Sequence, residues 1–142
     1  MDKHKRDLKG SKNRDEWKRA HKEQLGNGYY GGDLDYVVVE FKPAGVVAFY
    51  DYKMPYDSVS NTEIVYYNAL LQIAPLYIVE GSNPQKGPFK VSRYVKGHPV
   101  AYNKPPIVNL EFVRVCQNWR EFGEFEMSLR ENYRYSLRSQ EA

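Results

Sequence analysis

The chain has 142 residues, 42% hydrophobic and 15% aromatic, with 21 Lys and Arg against 18 Asp and Glu for a formal charge of +3; this suffices for one core and hardly for a second. The single cysteine, Cys116, forms no internal disulfide, which argues against a stapled secreted scaffold and for a reducing compartment. No run approaches the roughly 18 apolar residues that span a bilayer, and the basic N-terminus lacks the apolar stretch of a signal peptide, so a soluble, cytoplasmic protein without a membrane partner is expected.

The charge is unevenly placed. Residues 1 to 24 hold nine Lys and Arg against five acids, while the other 118 hold 12 against 13. An excess of that kind suits a polyanion, because Lys and Arg that neutralise phosphates release counterions. Residues 1 to 12 are polar and read as a basic flexible arm, ahead of a single domain over residues 13 to 142. A first helix is expected from Asn13, with Glu16 three residues on as a capping partner, to Leu25, where Gly26 stops it. Trp17, Ala20, Gln24 and Leu25 give it only a narrow apolar stripe, so it is peripheral. Arg14, Lys18 and Lys22 follow i, i+4 spacing and make a basic stripe suited to a nucleic-acid backbone.

Leu34 to Phe41 and Val46 to Lys53 read as two strands joined by a tight turn at Lys42-Pro43-Ala44-Gly45. With Pro43, Ala44 and Gly45 as a three-residue loop, Lys42 faces Val46, Val37 faces Asp51 and Asp35 faces Lys53. Side chains alternate, so Asp35, Val37, Val39, Phe41, Val47, Phe49, Asp51 and Lys53 share one face, apolar except at its open end. In that register Asp35 and Asp51 lie on a diagonal with Cβ atoms roughly 7 Å apart, and Lys53 stands about 5 Å across from Asp35. Two carboxylates so placed can share a hard cation such as Mg²⁺ or Mn²⁺, with a lysine beside them to balance charge or activate water.

Ser60 and Glu63 form a capping box for a helix over about Asn61 to Ile73, followed by a buried strand, Leu76 to Glu80. Phe89 to Val95, with Lys90 and Arg93, reads as another strand, and Tyr94, Lys96, His98, Tyr102 and Lys104 interleave rings with bases, a pattern that can stack nucleobases and hold phosphates. Val108 to Val115 is a further strand. From Gln117 on, Trp119, Phe122, Phe125, Leu129 and Tyr133 keep helical spacing, which predicts a long amphipathic C-terminal helix that packs on the sheet or serves a homodimer. The fold class is α/β or α+β: a mixed sheet with a central hairpin, flanked by helices.

Asp35, then Asp51-Tyr52-Lys53 sixteen residues on at the end of a hydrophobic strand, then a helix and a buried strand, resembles the active-site signature of the PD-(D/E)XK nuclease superfamily, which includes restriction endonucleases and Holliday-junction resolvases. The resemblance covers about residues 13 to 81. It implies a restriction-endonuclease-like core and a Mg²⁺- or Mn²⁺-dependent nuclease acting on DNA, branched and single-stranded forms included. Asp35 and Asp51 are then metal ligands, the Tyr52 carbonyl is a third, and Lys53 assists the water. Asp33 resembles the acid two positions before the metal-binding Asp in one version of the motif, and Glu16 or Glu23 matches the glutamate that many members add from the first helix. Two other readings fit the residues: a catalytically silent nucleic-acid-binding module of the same fold, and a nucleotidyltransferase using Asp33, Asp35 and Asp51.

Overall fold

The computed structural model describes residues 3–25, 34–100 and 103–141. The chain divides into two compact units, residues 1–31 and 32–142. The first contains helix α1, Lys3–Leu25. It starts at Lys3 rather than at Asn13, so the basic arm expected over residues 1 to 12 is helical from its third residue. Lys, Arg, Glu and Leu all favour the helix, and Gly10 inside it costs only about 1 kcal/mol. Trp17 is 67% exposed and its ring lies 5.1 Å from that of His21.

The second unit is α+β: β1 Tyr36–Phe41, β2 Ala44–Lys53, α2 Asn61–Leu70, β3 Leu76–Glu80, β4 Phe89–His98, β5 Ile107–Cys116 and α3 Trp119–Glu141. The five strands form one mixed sheet in the order β1-β2-β3-β4-β5. Strands β2 and β3 are parallel and joined through α2, whereas the other neighbours are antiparallel. The first hairpin therefore sits at one edge of the sheet and not at its centre, because the crossover lays β3 beside β2 and β4 and β5 meander outward from there.

The hairpin differs from its expected register. Phe41 pairs with Ala44, so the link is the two residues Lys42 and Pro43, with the Lys42–Pro43 bond cis. This is the proline position of a type VI turn. Val38 pairs with Ala48 and Val39 with Val46, which leaves Val47 as an extra residue in β2, a β-bulge. Beyond it Tyr36 faces Tyr50 and Val37 faces Phe49. One step further out Asp35 stands opposite Asp51, not Lys53. The bulge also breaks the single odd-numbered face: Val39 and Phe41 are exposed, while Val38 and Glu40 are the buried residues of β1.

Each sheet face carries its own core. Val38, Ala48, Tyr50, Tyr77, Val79, Phe89 and Val91 pack with Phe122 and Phe125 of α3, joined by Leu129 and Tyr133; the stripe expected of the C-terminal helix thus lies on the sheet. On the other face Phe49, Leu76, Ile78 and Tyr94 pack with Ile64 and Tyr67 of α2. Asn118 caps α3 by accepting from the Glu121 N–H at 3.0 Å, and the Glu121 carboxylate accepts from the Gln117 N–H at 3.0 Å, the reciprocal arrangement that satisfies helix-end donors. Every buried side-chain polar atom among the described residues has a hydrogen-bond partner. No helix among them is long and apolar enough to cross a membrane.

Candidate active site

Strand β2 ends where the chain must leave the sheet for α2, and its last inward-facing residues on the α2 side are Asp51 and Lys53. Asp51 is 5% exposed. It is held there because β2 is paired on both sides, with Asp51 opposite Ile78 of β3. Asp35, just before β1, is exposed, and its Oδ2 accepts the Tyr52 N–H at 2.7 Å. The structure thus brings Asp35, Asp51 and Lys53 together, by directly opposed positions rather than by the diagonal.

Two residues of α2 complete the cluster. Ser60 and Glu63 form the expected capping box: Ser60 Oγ accepts the Glu63 N–H at 3.1 Å and Glu63 Oε1 accepts the Ser60 N–H at 3.0 Å. The cap leaves Glu63 Oε2 free to face the sheet, where it accepts from Lys53 Nζ at 2.6 Å and from the Tyr67 hydroxyl at 3.1 Å. The Tyr67 hydroxyl also meets Asp51 Oδ2. Tyr67 is fully buried, one helical turn after Glu63, the spacing that stacks two side chains on one helix face. From sequence Glu63 reads as a cap, while Tyr67 and Gln72 are left open as the polar residue that this helix could add to the site, since nothing local marks which of them faces a carboxylate. Gln72 is exposed beyond the end of α2.

Electrostatics follow from this geometry. Burial, together with the neighbouring Asp35 carboxylate, raises the Asp51 carboxyl to about 7, against the opposing pull of the Tyr67 hydroxyl and the Lys53 ammonium. Burial also pushes Glu63 up, but Lys53 and the Ser60 N–H outweigh it and hold its carboxyl below the ordinary value. Burial and the Asp51 carboxylate raise the Tyr67 phenol, which therefore stays a hydrogen-bond donor. Three acids surround one base, and the most buried acid is the one that resists ionisation.

That donor set fits a hard divalent cation. Mg²⁺ is commonly held by one or two carboxylates with water and substrate oxygens filling the rest, and a carboxyl raised by burial and by a neighbouring carboxylate is relieved by a positive ion. Among the described residues no group of three or more His, Cys, Asp or Glu side chains is placed to hold a metal ion; an ion at this cluster would have Asp35 and Asp51 as its carboxylates.

Asp33 is outside the described residues. Glu16, Glu23, Arg14 and Lys18 are exposed on α1, in the other compact unit, and the side chain of Lys22 is outside the described residues. Lys90 is exposed on β4, and Arg93 is paired with Glu111 of β5 at 2.8 Å. Within the ring-and-base stretch, Tyr94 is fully buried and donates to Asn68 Oδ1 at 2.6 Å, a core contact that turns it away from any nucleic acid. Compared with family models, with curated proteins and with solved structures, the chain matches none.

Proposed function

We propose that the chain is a metal-dependent nuclease that hydrolyses phosphodiester bonds of DNA through Asp35, Asp51 and Lys53, as its resemblance to the PD-(D/E)XK superfamily implies. The observation that carries the reading is the buried Asp51 carboxyl, raised to about 7 beside Asp35 at a strand end. Such a shift in a cleft marks a group whose environment is arranged for chemistry.

Asp35 and Asp51, with the Tyr52 carbonyl as a further oxygen, would hold a divalent ion, which would supply charge stabilisation for the phosphate and a water of lowered pKa. The chain's own residues do the rest. Lys53 is the cation of the cluster, and it orients the attacking water or neutralises the phosphate. Glu63 holds the Lys53 ammonium at 2.6 Å, and Tyr67 holds Asp51 in place from the helix side. Both are positioning residues.

The close Lys53–Glu63 pair also favours a second reading, in which the site keeps its parts without turning over and the protein is a silent nucleic-acid-binding module. Incubation with supercoiled, linear, branched and single-stranded DNA in Mg²⁺, Mn²⁺ or EDTA separates the two. Metal-dependent cutting that disappears in Lys53→Ala and Asp51→Asn supports the nuclease. Salt-sensitive binding with no cutting of any substrate supports the silent module.

A further inference from the structure

On the face of the sheet that carries α3, opposite the one from which Asp51 and Lys53 meet α2, lies a cavity of about 470 Å³ that shares Asp35 with the carboxylate cluster, inside the ~300–1,000 Å³ range of small-ligand sites. Its walls are rings: Tyr36, Tyr50, Phe89, Trp119 and Phe122. They brace one another edge to face, with centroids 4.9 Å apart for Phe89 and Trp119, 5.5 Å for Trp119 and Phe122 and 5.4 Å for Tyr50 and Phe122. Trp119 is 55% exposed yet fixed, since its indole N–H donates to the Pro84 carbonyl at 3.2 Å. The walls are therefore preformed: Tyr50, Phe89 and Phe122 are buried, and among the described residues Tyr36 and Trp119 are the wall rings left exposed.

Among the described residues the charged groups of the lining are two carboxylates, Asp35 and Glu126, and no lysine or arginine lines the cavity. A phosphate or other anion is repelled from it. A flat ring with N–H donors on its edge is suited to it, because aromatic walls stack such a ring and the carboxylate and tyrosine oxygens accept from it. Asp35 belongs to both sites: it lines the cavity, and its Oδ2 is anchored on the Tyr52 N–H at the carboxylate cluster. A nucleotide whose phosphate is held through a divalent ion on Asp35 and Asp51 would have this cavity next to it, at Asp35, for its base. In a duplex that base is paired and stacked and would have to be extruded; in a single strand or at a branch it is available at little cost.

We infer that the cavity receives an unpaired nucleobase from the strand being cut, which makes the protein selective for single-stranded or branched DNA over intact duplex. This deepens the nuclease reading and rests on it. The test uses Gly123, which lines the cavity from α3 and where an added Cβ meets nothing within 4 Å. Gly123→Leu fills the space, removes no native contact and favours the helix, so the fold is kept.

Binding is measured by fluorescence anisotropy in EDTA, on a short single strand and on the duplex of the same sequence. Gly123→Leu and Trp119→Ala are expected to weaken single-strand binding about ten-fold and duplex binding by less than about two-fold, the loss of one stacked base. A 2-aminopurine in the single strand is expected to change its emission on the wild-type protein and not on Gly123→Leu. Equal losses on both DNA forms, no loss, no measurable single-strand binding, or an unresponsive 2-aminopurine overturns the inference. So does a tryptophan emission change with tetramethylammonium, absent in Trp119→Ala, when no oligonucleotide produces one, since the cavity is then a site for organic cations. These readouts need no metal; absence of metal-dependent cutting would instead remove the nuclease reading.

Discussion

At the residue scale, Asp51 sets the pH response of the molecule. Its carboxyl titrates at about 7 in the folded chain and near 4 in the unfolded one, so between these values the folded state holds a proton that the unfolded state has released. Stability contributed by this group therefore falls as pH rises from about 4 to about 7 and is level above that. Asp51→Asn removes the penalty while keeping an acceptor for Tyr67. Its unfolding free energy at about pH 8 is expected to exceed that of the wild type by on the order of 1–3 kcal/mol, with little difference near pH 4, while cutting is lost. Urea titrations at the two pH values check this, and a wild-type curve that rises between them would exclude the raised carboxyl. Asp35, Asp51 and Lys53 were legible because the motif is local in sequence and the strand ends in view. Tyr67 was not, because its partner Asp51 is brought to it only by the crossover.

At the element scale, α2 links stability to the site. Glu63 caps the helix with one oxygen and holds Lys53 with the other, and the pair is largely sheltered, with side chains 13% and 18% exposed. Glu63→Ala is expected to cost about 1–3 kcal/mol, from the lost cap and from a half-buried ammonium left without its partner; thermal denaturation beside Ser60→Ala, which removes the cap alone, separates the two contributions. Helix α2 also presses on β4 at Gly97, where an added Cβ would come within 2.5 Å of Ile64 Cδ1 of α2 and 2.6 Å of the Tyr94 hydroxyl. Gly97→Ala is expected to lower stability by about 1–3 kcal/mol through overpacking, read by the same melts. The helices and strands were legible from period and punctuation. The turn at Lys42-Pro43 was not, because a proline after a lysine suits the first corner of a common turn as well as the cis position of a rarer one; with a two-residue link and the extra residue at Val47, odd-numbered residues again face odd-numbered ones in the outer half, two positions away from the expected register.

At the scale of the whole molecule, a mixed sheet with α2 on one face and α3 on the other places the carboxylate cluster and the ring-lined cavity around one end of β2. An ion that binds this cluster only in the folded state stabilises the fold by mass action, by about 2.7 kcal/mol when present at a hundred times its dissociation constant. Mg²⁺ or Mn²⁺ is therefore expected to raise the melting temperature of the wild type above about pH 7, where Asp51 has released its proton, and not that of Asp51→Asn. Equal shifts in both proteins would place the ion elsewhere. The sequence alone allowed the sheet, its helices and their order to be foreseen, but a hairpin at the centre and a hairpin at the edge have the same strand pattern; only the place of β3 beside β2 distinguishes them.

The extra residue at Val47 separates the two ends of the first hairpin. Outward of it, β2 is pinned to β3 from Phe49 to Lys53, so the alignment of Asp51 does not depend on the tip. Inward of it, the strands are held only to each other and to what α3 lays over them. A residue inserted or removed near Lys42 is thus absorbed at the tip, as slack in a rope beyond a cleat, and the hairpin end is the place where this chain can change length or accept a tag while the chemistry at the far end of the same strand stays in register.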